Sequence, residues 1–162
     1  MDELTAASAV LLVRHAAAGN PAKWEGPDSL RPLSEKGRRQ AAALVDTLAG
    51  YDIGRVMSSP YLRCIQTVEP LAQARGLPIE ETQALAEGAG HREVAALLDE
   101  LGGTSAVLCT HGDVAGVALD LVADEGVDTG DDARCAKGSV WVVETDHAGD
   151  HFVAARYLPP SR

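Results

Sequence analysis

The sequence predicts a three-layer α/β sandwich, with a mostly parallel central sheet and helices on both faces, on the strength of two observations. Short apolar runs alternate along the chain with stretches whose apolar residues recur at helical spacing. Most of those runs are continuously apolar rather than alternating, as strands buried on both faces of a parallel sheet must be. At 162 residues, with 46% apolar against 23% charged, the chain has enough apolar surface for a real core, and one domain over residues 1–162 is expected.

The first strand-like run covers residues 8–13 and ends at Arg14-His15. A helix follows: Ala41, Leu44, Val45 and Leu48 repeat at i, i+3, i+4, i+7 behind a Ser34-Glu35-Lys36-Gly37 opening, and Gly50 closes the pattern. The second strand, residues 55–57, runs into Ser58-Ser59-Pro60. Leu62, Ile65, Val68 and Leu71 mark the next helix, with Ser59 expected as its N-cap and Pro60 at its first position. Pro70 is expected to kink or shorten it. A third helix is written in Val94, Leu97, Leu98 and Leu101, and a strand at 106–109 then ends in Thr110-His111-Gly112. Val114, Val117, Ala118 and Leu121 form a fourth helix, the acidic segment 124–132 reads as a surface loop, and 139–144 reads as a strand. Residues 151–157 would add an edge strand.

Composition excludes several roles. A net charge of −10 opposes a nucleic-acid surface or an anionic membrane as partner, since both require broad positive potential. The apolar run at 10–13 is too short to span a bilayer, and the acidic MDEL start is unlike a signal peptide, so a soluble cytoplasmic protein is expected. Cys64, Cys109 and Cys135 have no zinc-site spacing, which fits a reducing compartment. Cys109, inside an apolar strand, reads as a packing residue, and no nucleophile signature surrounds Cys64.

Ligands of open α/β sheets bind beyond the carboxyl ends of the strands. Three such ends carry Arg14-His15, Ser58-Ser59-Pro60 with Arg63 a turn into the helix, and Thr110-His111-Gly112. Two arginines and two histidines would therefore meet at one edge. Guanidinium forks match phosphoryl oxygens, and a neutral imidazole attacks phosphorus directly, forming a phosphohistidine. Arg14 and Arg63 fit the clamp, His15 the nucleophile and His111 a donor to the phosphoryl group. Nearby cations favour the neutral form of His15. Helix N-termini after Ser59 and His111, with Gly112 opening the second, would add backbone donors to the same anion. The proton donor to the leaving group is Glu87, ahead of the third helix, or Asp113. No metal or cofactor is required.

Arg14-His15 alone also describes an ordinary surface pair after a strand, and the specificity lies in the combination. Ser59 serves as a helix cap, a phosphate contact or both. Arg31, ahead of Pro32 in a polar loop, is a candidate for the substrate rim, against the simpler reading of an exposed loop arginine. Lys23 and Trp24 are candidates for the entrance, and His91, His147 and His151 read as surface residues.

LLVRHA, RPLSEKGRRQA, SSPYLRCIQTVEPLA, ALAEG and VLCTHGD stand in the order of the histidine phosphatase (phosphoglycerate-mutase-like) superfamily, which most of the chain resembles. The short length and RPLSEKG look like the SixA-type phosphohistidine phosphatase branch. RCIQTVEPLA and KGSVWVV also resemble the phosphatase domain fused to Nudix hydrolases in some actinobacterial proteins, here without a Nudix half. The resemblance implies His15 as nucleophile, Arg14 and Arg63 as phosphate clamps, His111 as second histidine and Glu87 as proton donor. Ala16 departs from the usual Gly, and the acidic-then-Ser continuation of the mutases is absent, which turns the expectation away from mutase activity. A metal-independent phosphatase acting on a small phosphorylated or nucleotide-derived metabolite, or on a phosphohistidine protein, is therefore expected. A phosphate-recognising module without turnover is the competing expectation.

Overall fold

The protein was analysed as a computed structural model, which describes residues 8–130, 134–146 and 148–161. The described chain runs β1 (Ala9–Arg14), α1 (Glu35–Thr47), β2 (Arg55–Ser58), α2 (Leu62–Arg75), β3 (Ile79–Glu81), α3 (His91–Leu101), β4 (Ala106–Thr110), α4 (Gly112–Asp124), β5 (Val140–Thr145) and β6 (Phe152–Leu158). These strands form one sheet in the order β3-β2-β4-β1-β5-β6. The β3–β2, β2–β4 and β4–β1 pairs are parallel, whereas β5 and β6 continue the sheet antiparallel. The carboxyl ends of β1, β2 and β4 consequently share one edge.

The continuous apolar character of β1 follows from its place in the middle of the sheet. Successive side chains point to opposite faces. Val10 and Leu12 join a buried cluster with Val94 and Leu97 of α3 and Val114 and Leu119 of α4. Leu11 and Val13 join another with Leu44 of α1 and Val68 and Leu71 of α2. Two helices thus cover each face, and every strand position of β4 is likewise buried. Burying each such Leu or Val contributes about 1.5–3 kcal/mol.

Helix α1 starts where the sequence places it, with the Ser34 hydroxyl accepting from the Gly37 N–H at 3.1 Å. The expected N-cap of α2 needs correction. The N-cap is Tyr61, which makes no side-chain cap bond. Ser59 lies two residues ahead, where its hydroxyl accepts from the Tyr61 N–H at 3.2 Å and is drawn to a buried histidine instead. Pro70 lies inside α2 without shortening it, since the helix continues to Arg75. The proline forfeits one backbone bond, and the buried Leu71 and Ala72 hold the following turn against the sheet.

Strand β3 is an element the sequence reading lacks. With one apolar residue among Ile79, Glu80 and Glu81 it carries no pattern of its own, and its edge position is set by pairing with β2. The segment after α4 is largely exposed but pinned by the buried Val127, while residues 131, 132 and His147 lie outside the described residues. Cys109 is fully buried in β4. Among the described residues, no helix is long and apolar enough to cross a membrane.

Candidate active site

The parallel register of β1 and β4 pairs Arg14 with Thr110, so the residues that follow, His15 and His111, leave the sheet side by side. Backbone bonds tie the strand ends together: His15 N–H donates to Thr110 C=O and Ser59 N–H to Cys109 C=O, each at 2.9 Å. The two imidazoles meet edge to face with centroids 5.4 Å apart.

His15 is 6% exposed. Its Nδ1 lies 2.8 Å from the Ala16 carbonyl. A carbonyl only accepts, so this bond places the proton on Nδ1 and leaves a lone pair on Nε2. Burial is the main force that lowers the His15 pKa from 6.5 to about 3; Arg63, His111 and Arg14 lower it further, against the opposing bond to Ala16. At neutral pH the ring is uncharged.

Ala16 fits its position without strain. No non-glycine residue among those described has a positive φ, and the Ala16 methyl is buried in a small cluster with Leu33 and Ala41. Its N–H donates to the Thr67 hydroxyl at 2.9 Å, and that hydroxyl donates to the Arg63 carbonyl at 2.7 Å. The loop after His15 is thereby fastened to α2. A second fastening comes from α1, where Gln40 Oε1 accepts from Ala17 N–H at 2.9 Å. Helix α1 approaches so closely that a Cβ on Gly37 would stand 1.8 Å from the Ala17 oxygen.

Arg14 donates through Nη1 to the Cys135 carbonyl at 2.7 Å. Its guanidinium lies on the first turn of α4, where a Cβ on Gly112 would come within 2.9 Å of Cζ. Arg63, 2% exposed, projects from the first turn of α2. It donates through Nη1 to the Asp28 carbonyl at 2.9 Å and through Nη2 to Asp28 Oδ2 at 3.0 Å. Tyr61 lies between the arginine and the second histidine, with the Arg63 guanidinium 5.0 Å and the His111 ring 4.7 Å from its ring centroid. His111 Nε2 is 2.9 Å from Ser59 Oγ and 3.6 Å from Cys64 Sγ.

Three buried side-chain nitrogens have no hydrogen-bond partner among the described residues: Arg14 Nε, Arg63 Nε and His111 Nδ1. A buried polar group left without a partner costs about 1–3 kcal/mol. All three belong to residues that surround His15 and lower its pKa.

The other sequence candidates fall in different places. Ser59 is fully buried behind His111, so its hydroxyl orients that ring. Arg31 is not the exposed loop residue of the simpler reading. It is 8% exposed, with Nε on Asp28 Oδ1 at 3.0 Å and Nη1 on the Gly19 carbonyl at 2.6 Å. Lys23 and Trp24 line a surface depression beside it. Glu87 is half-exposed, with Oε2 3.7 Å from Arg63 Nη2. Its segment is held by Thr110, whose hydroxyl donates to the Leu85 carbonyl at 2.6 Å. Both Asp113 oxygens are occupied, accepting from Gly88 and Val114 N–H at 2.9 Å each.

The sequence reading misses Asp28, Thr67 and Tyr61. Tyr61 lies inside the SSPYLR motif, and Thr67 lies one helical turn beyond Arg63, so position alone could have nominated both. Asp28 has no such signal, because its partner is 35 residues away.

The sequence profile of the Histidine phosphatase superfamily (branch 1) matches residues 10–93. An 8-oxo-(d)GTP phosphatase of Mycolicibacterium smegmatis is 33% identical over 156 residues, which is 93% of this chain but 48% of that protein. The chain therefore spans about half the length of that relative. Among solved structures, the protein histidine phosphatase SixA complexed with tungstate superposes with a TM-score of 0.74 at 23% identity, covering 94% of this chain and 95% of that one. YhfR of Bacillus stearothermophilus gives a TM-score of 0.70 at 19% identity, covering 90% and 94%.

Proposed function

Because the chain belongs to the histidine phosphatase superfamily (branch 1), we propose that it is a metal-independent phosphatase in which His15 accepts the phosphoryl group. The observation that carries this reading is the set of buried, unpartnered nitrogens on Arg14, Arg63 and His111 around a neutral His15. A phosphoryl group supplies the acceptors they lack, and its charge is met by guanidinium and imidazole groups rather than by carboxylates that would hold a cation.

In the proposed reaction the His15 Nε2 lone pair attacks phosphorus, and the bond to the leaving oxygen or nitrogen breaks. Glu87 protonates the leaving group. Its carboxylate then takes a proton from water, whose oxygen attacks phospho-His15, releasing inorganic phosphate and neutral His15. Asp113 is the weaker candidate for this proton, because both of its oxygens already accept backbone bonds. The N-termini of α2 and α4, where neither N-cap residue makes a side-chain cap bond, add backbone donors.

The substrate class is a phosphoester or a phosphoramidate, including phosphohistidine on a protein. Among the described residues the connections beyond the strand ends hold short turns at Pro21–Lys23, Asp28–Leu30 and Gln83–Leu85 and no inserted subdomain, which supports the phosphohistidine-protein reading. A second reading, a nucleotide-type metabolite, is favoured by the 33% identity to the M. smegmatis 8-oxo-(d)GTP phosphatase. Three free cysteines, Cys64, Cys109 and Cys135, support a cytoplasmic setting.

The test is hydrolysis of para-nitrophenyl phosphate in EDTA by the wild type and by His15→Ala. Turnover that persists with the chelator and disappears in the variant is expected. Turnover that needs the metal, or that survives loss of His15, contradicts the proposal. Phosphate binding without hydrolysis of esters, anhydrides or phosphohistidine would instead indicate the binding module. Parallel assays on a phosphohistidine protein and on oxidised guanine nucleotides separate the two substrate readings.

A further inference from the structure

We infer that Asp28 is a positioning residue for Arg63, holding both terminal nitrogens of its guanidinium so that the Nε–H remains for a bound phosphoryl oxygen. The inference rests on the reading of Arg63 as a phosphate clamp. Its basis is a two-pronged grip by one residue: the Asp28 backbone carbonyl takes Nη1 at 2.9 Å and the carboxylate Oδ2 takes Nη2 at 3.0 Å. The guanidinium is almost fully buried, and Nε is its buried donor without a partner. A fork held by two acceptors on one side is fixed in plane, which is the alignment phosphoryl recognition needs.

The grip is itself supported. The second carboxylate oxygen of Asp28 accepts from Arg31 Nε at 3.0 Å, and Arg31 Nη1 donates to the Gly19 carbonyl at 2.6 Å. Gly19, Arg31, Asp28 and Arg63 thus form a continuous chain of bonds from the loop after His15 to α2. Asp28 opens the short turn Asp28–Leu30, which presents its carbonyl and its carboxylate together. This gives the buried Arg31 a place in the site one step removed from substrate. The opposite role is also physically defined: a carboxylate on Arg63 could compete with phosphate for it. The two roles predict opposite signs on removal of the carboxylate.

The experiment is a double-mutant cycle on the whole chain, read by para-nitrophenyl phosphate kinetics and by titration with inorganic phosphate. Asp28→Ala is expected to lower kcat/KM by about tenfold or more and to weaken phosphate binding, with Asp28→Asn, which keeps one acceptor, losing less. In an Arg63→Lys background, where no fork remains to be aligned, Asp28→Ala is expected to change either readout by less than about twofold. Unchanged or increased activity, tighter phosphate binding, or a loss of equal size in the Arg63→Lys background would overturn the inference. Where Asp28→Ala does not fold, the near-isosteric Asp28→Asn is read by the same criteria. The phosphate titration reports on Asp28 even for an enzyme that hydrolyses nothing, and the His15→Ala comparison reports on the phosphatase reading whatever Asp28 does.

Discussion

The Nδ1–H of His15 donates to the Ala16 carbonyl at 2.8 Å, and that single bond decides which ring nitrogen is free to react. It fixes the tautomer, aims the ring and leaves the Nε2 lone pair free, as the proposed nucleophilic role of His15 needs. It also explains how Ala16 can stand where a glycine is usual. The carbonyl is engaged by His15, the N–H by Thr67 and the methyl by Leu33 and Ala41, so the backbone needs no conformation reserved for glycine.

The depressed pKa of His15 has a consequence for stability. The unfolded imidazole titrates near 6.5 and the folded one near 3. Above pH 6.5 both states are neutral and the group contributes no pH dependence. Below it the unfolded state binds a proton that the folded state refuses, so stability falls with pH down to about 3, by up to about 1.4 kcal/mol per unit. Chemical denaturation at pH 7 and pH 5 should show the wild type losing on the order of 2 kcal/mol more than His15→Gln. Parallel losses would mean that His15 is not held neutral by its surroundings.

Gly112 allows the Arg14 guanidinium to rest on the first turn of α4. An alanine there would place its Cβ 2.9 Å from Arg14 Cζ and push the guanidinium away. Alanine is otherwise welcome in a helix. Gly112→Ala should therefore keep its melting temperature while kcat/KM falls by roughly tenfold or more, because small misplacements of a clamp cost large factors in rate. Unaltered kinetics would remove Arg14 from the phosphate site.

Glu87 and Asp113 are separated by leaving-group dependence. Para-nitrophenolate leaves with little help, whereas an alkoxide needs a proton. Glu87→Gln is expected to lower kcat/KM, which reports phosphoryl transfer to His15, by roughly 100-fold or more for an alkyl phosphate and much less for para-nitrophenyl phosphate. Asp113→Asn should treat both substrates alike. The reverse pattern would transfer the role to Asp113.

Local signals in the sequence account for much of this architecture. The apolar runs of β1, β4 and β5 are buried on both faces, and the Ser34 cap is a short-range bond within the Ser34-Glu35-Lys36-Gly37 opening that marks the start of α1 in the sequence. Strand β3 was not legible because two of its three residues are glutamates and its place is conferred by β2. Ser59 satisfies every local rule for a helix cap, yet its hydroxyl goes to His111, a partner 52 residues away that the tertiary fold brings near. The strand-end histidines and arginines stand out in the sequence by their order and spacing. The residues that steady them, Thr67, Gln40 and Asp28, are ordinary polar residues until the fold supplies their partners.

Rapid acid-free quenching of the enzyme during turnover, followed by peptide mass spectrometry, reads out directly whether His15 carries the phosphoryl group. An acid-labile, base-stable phosphoryl group on His15 is expected, absent in His15→Ala and accumulating at early times in Glu87→Gln with para-nitrophenyl phosphate. Hydrolysis that proceeds at the full rate with no phosphoryl group on His15, or with the label on another residue, would contradict the nucleophilic role of His15.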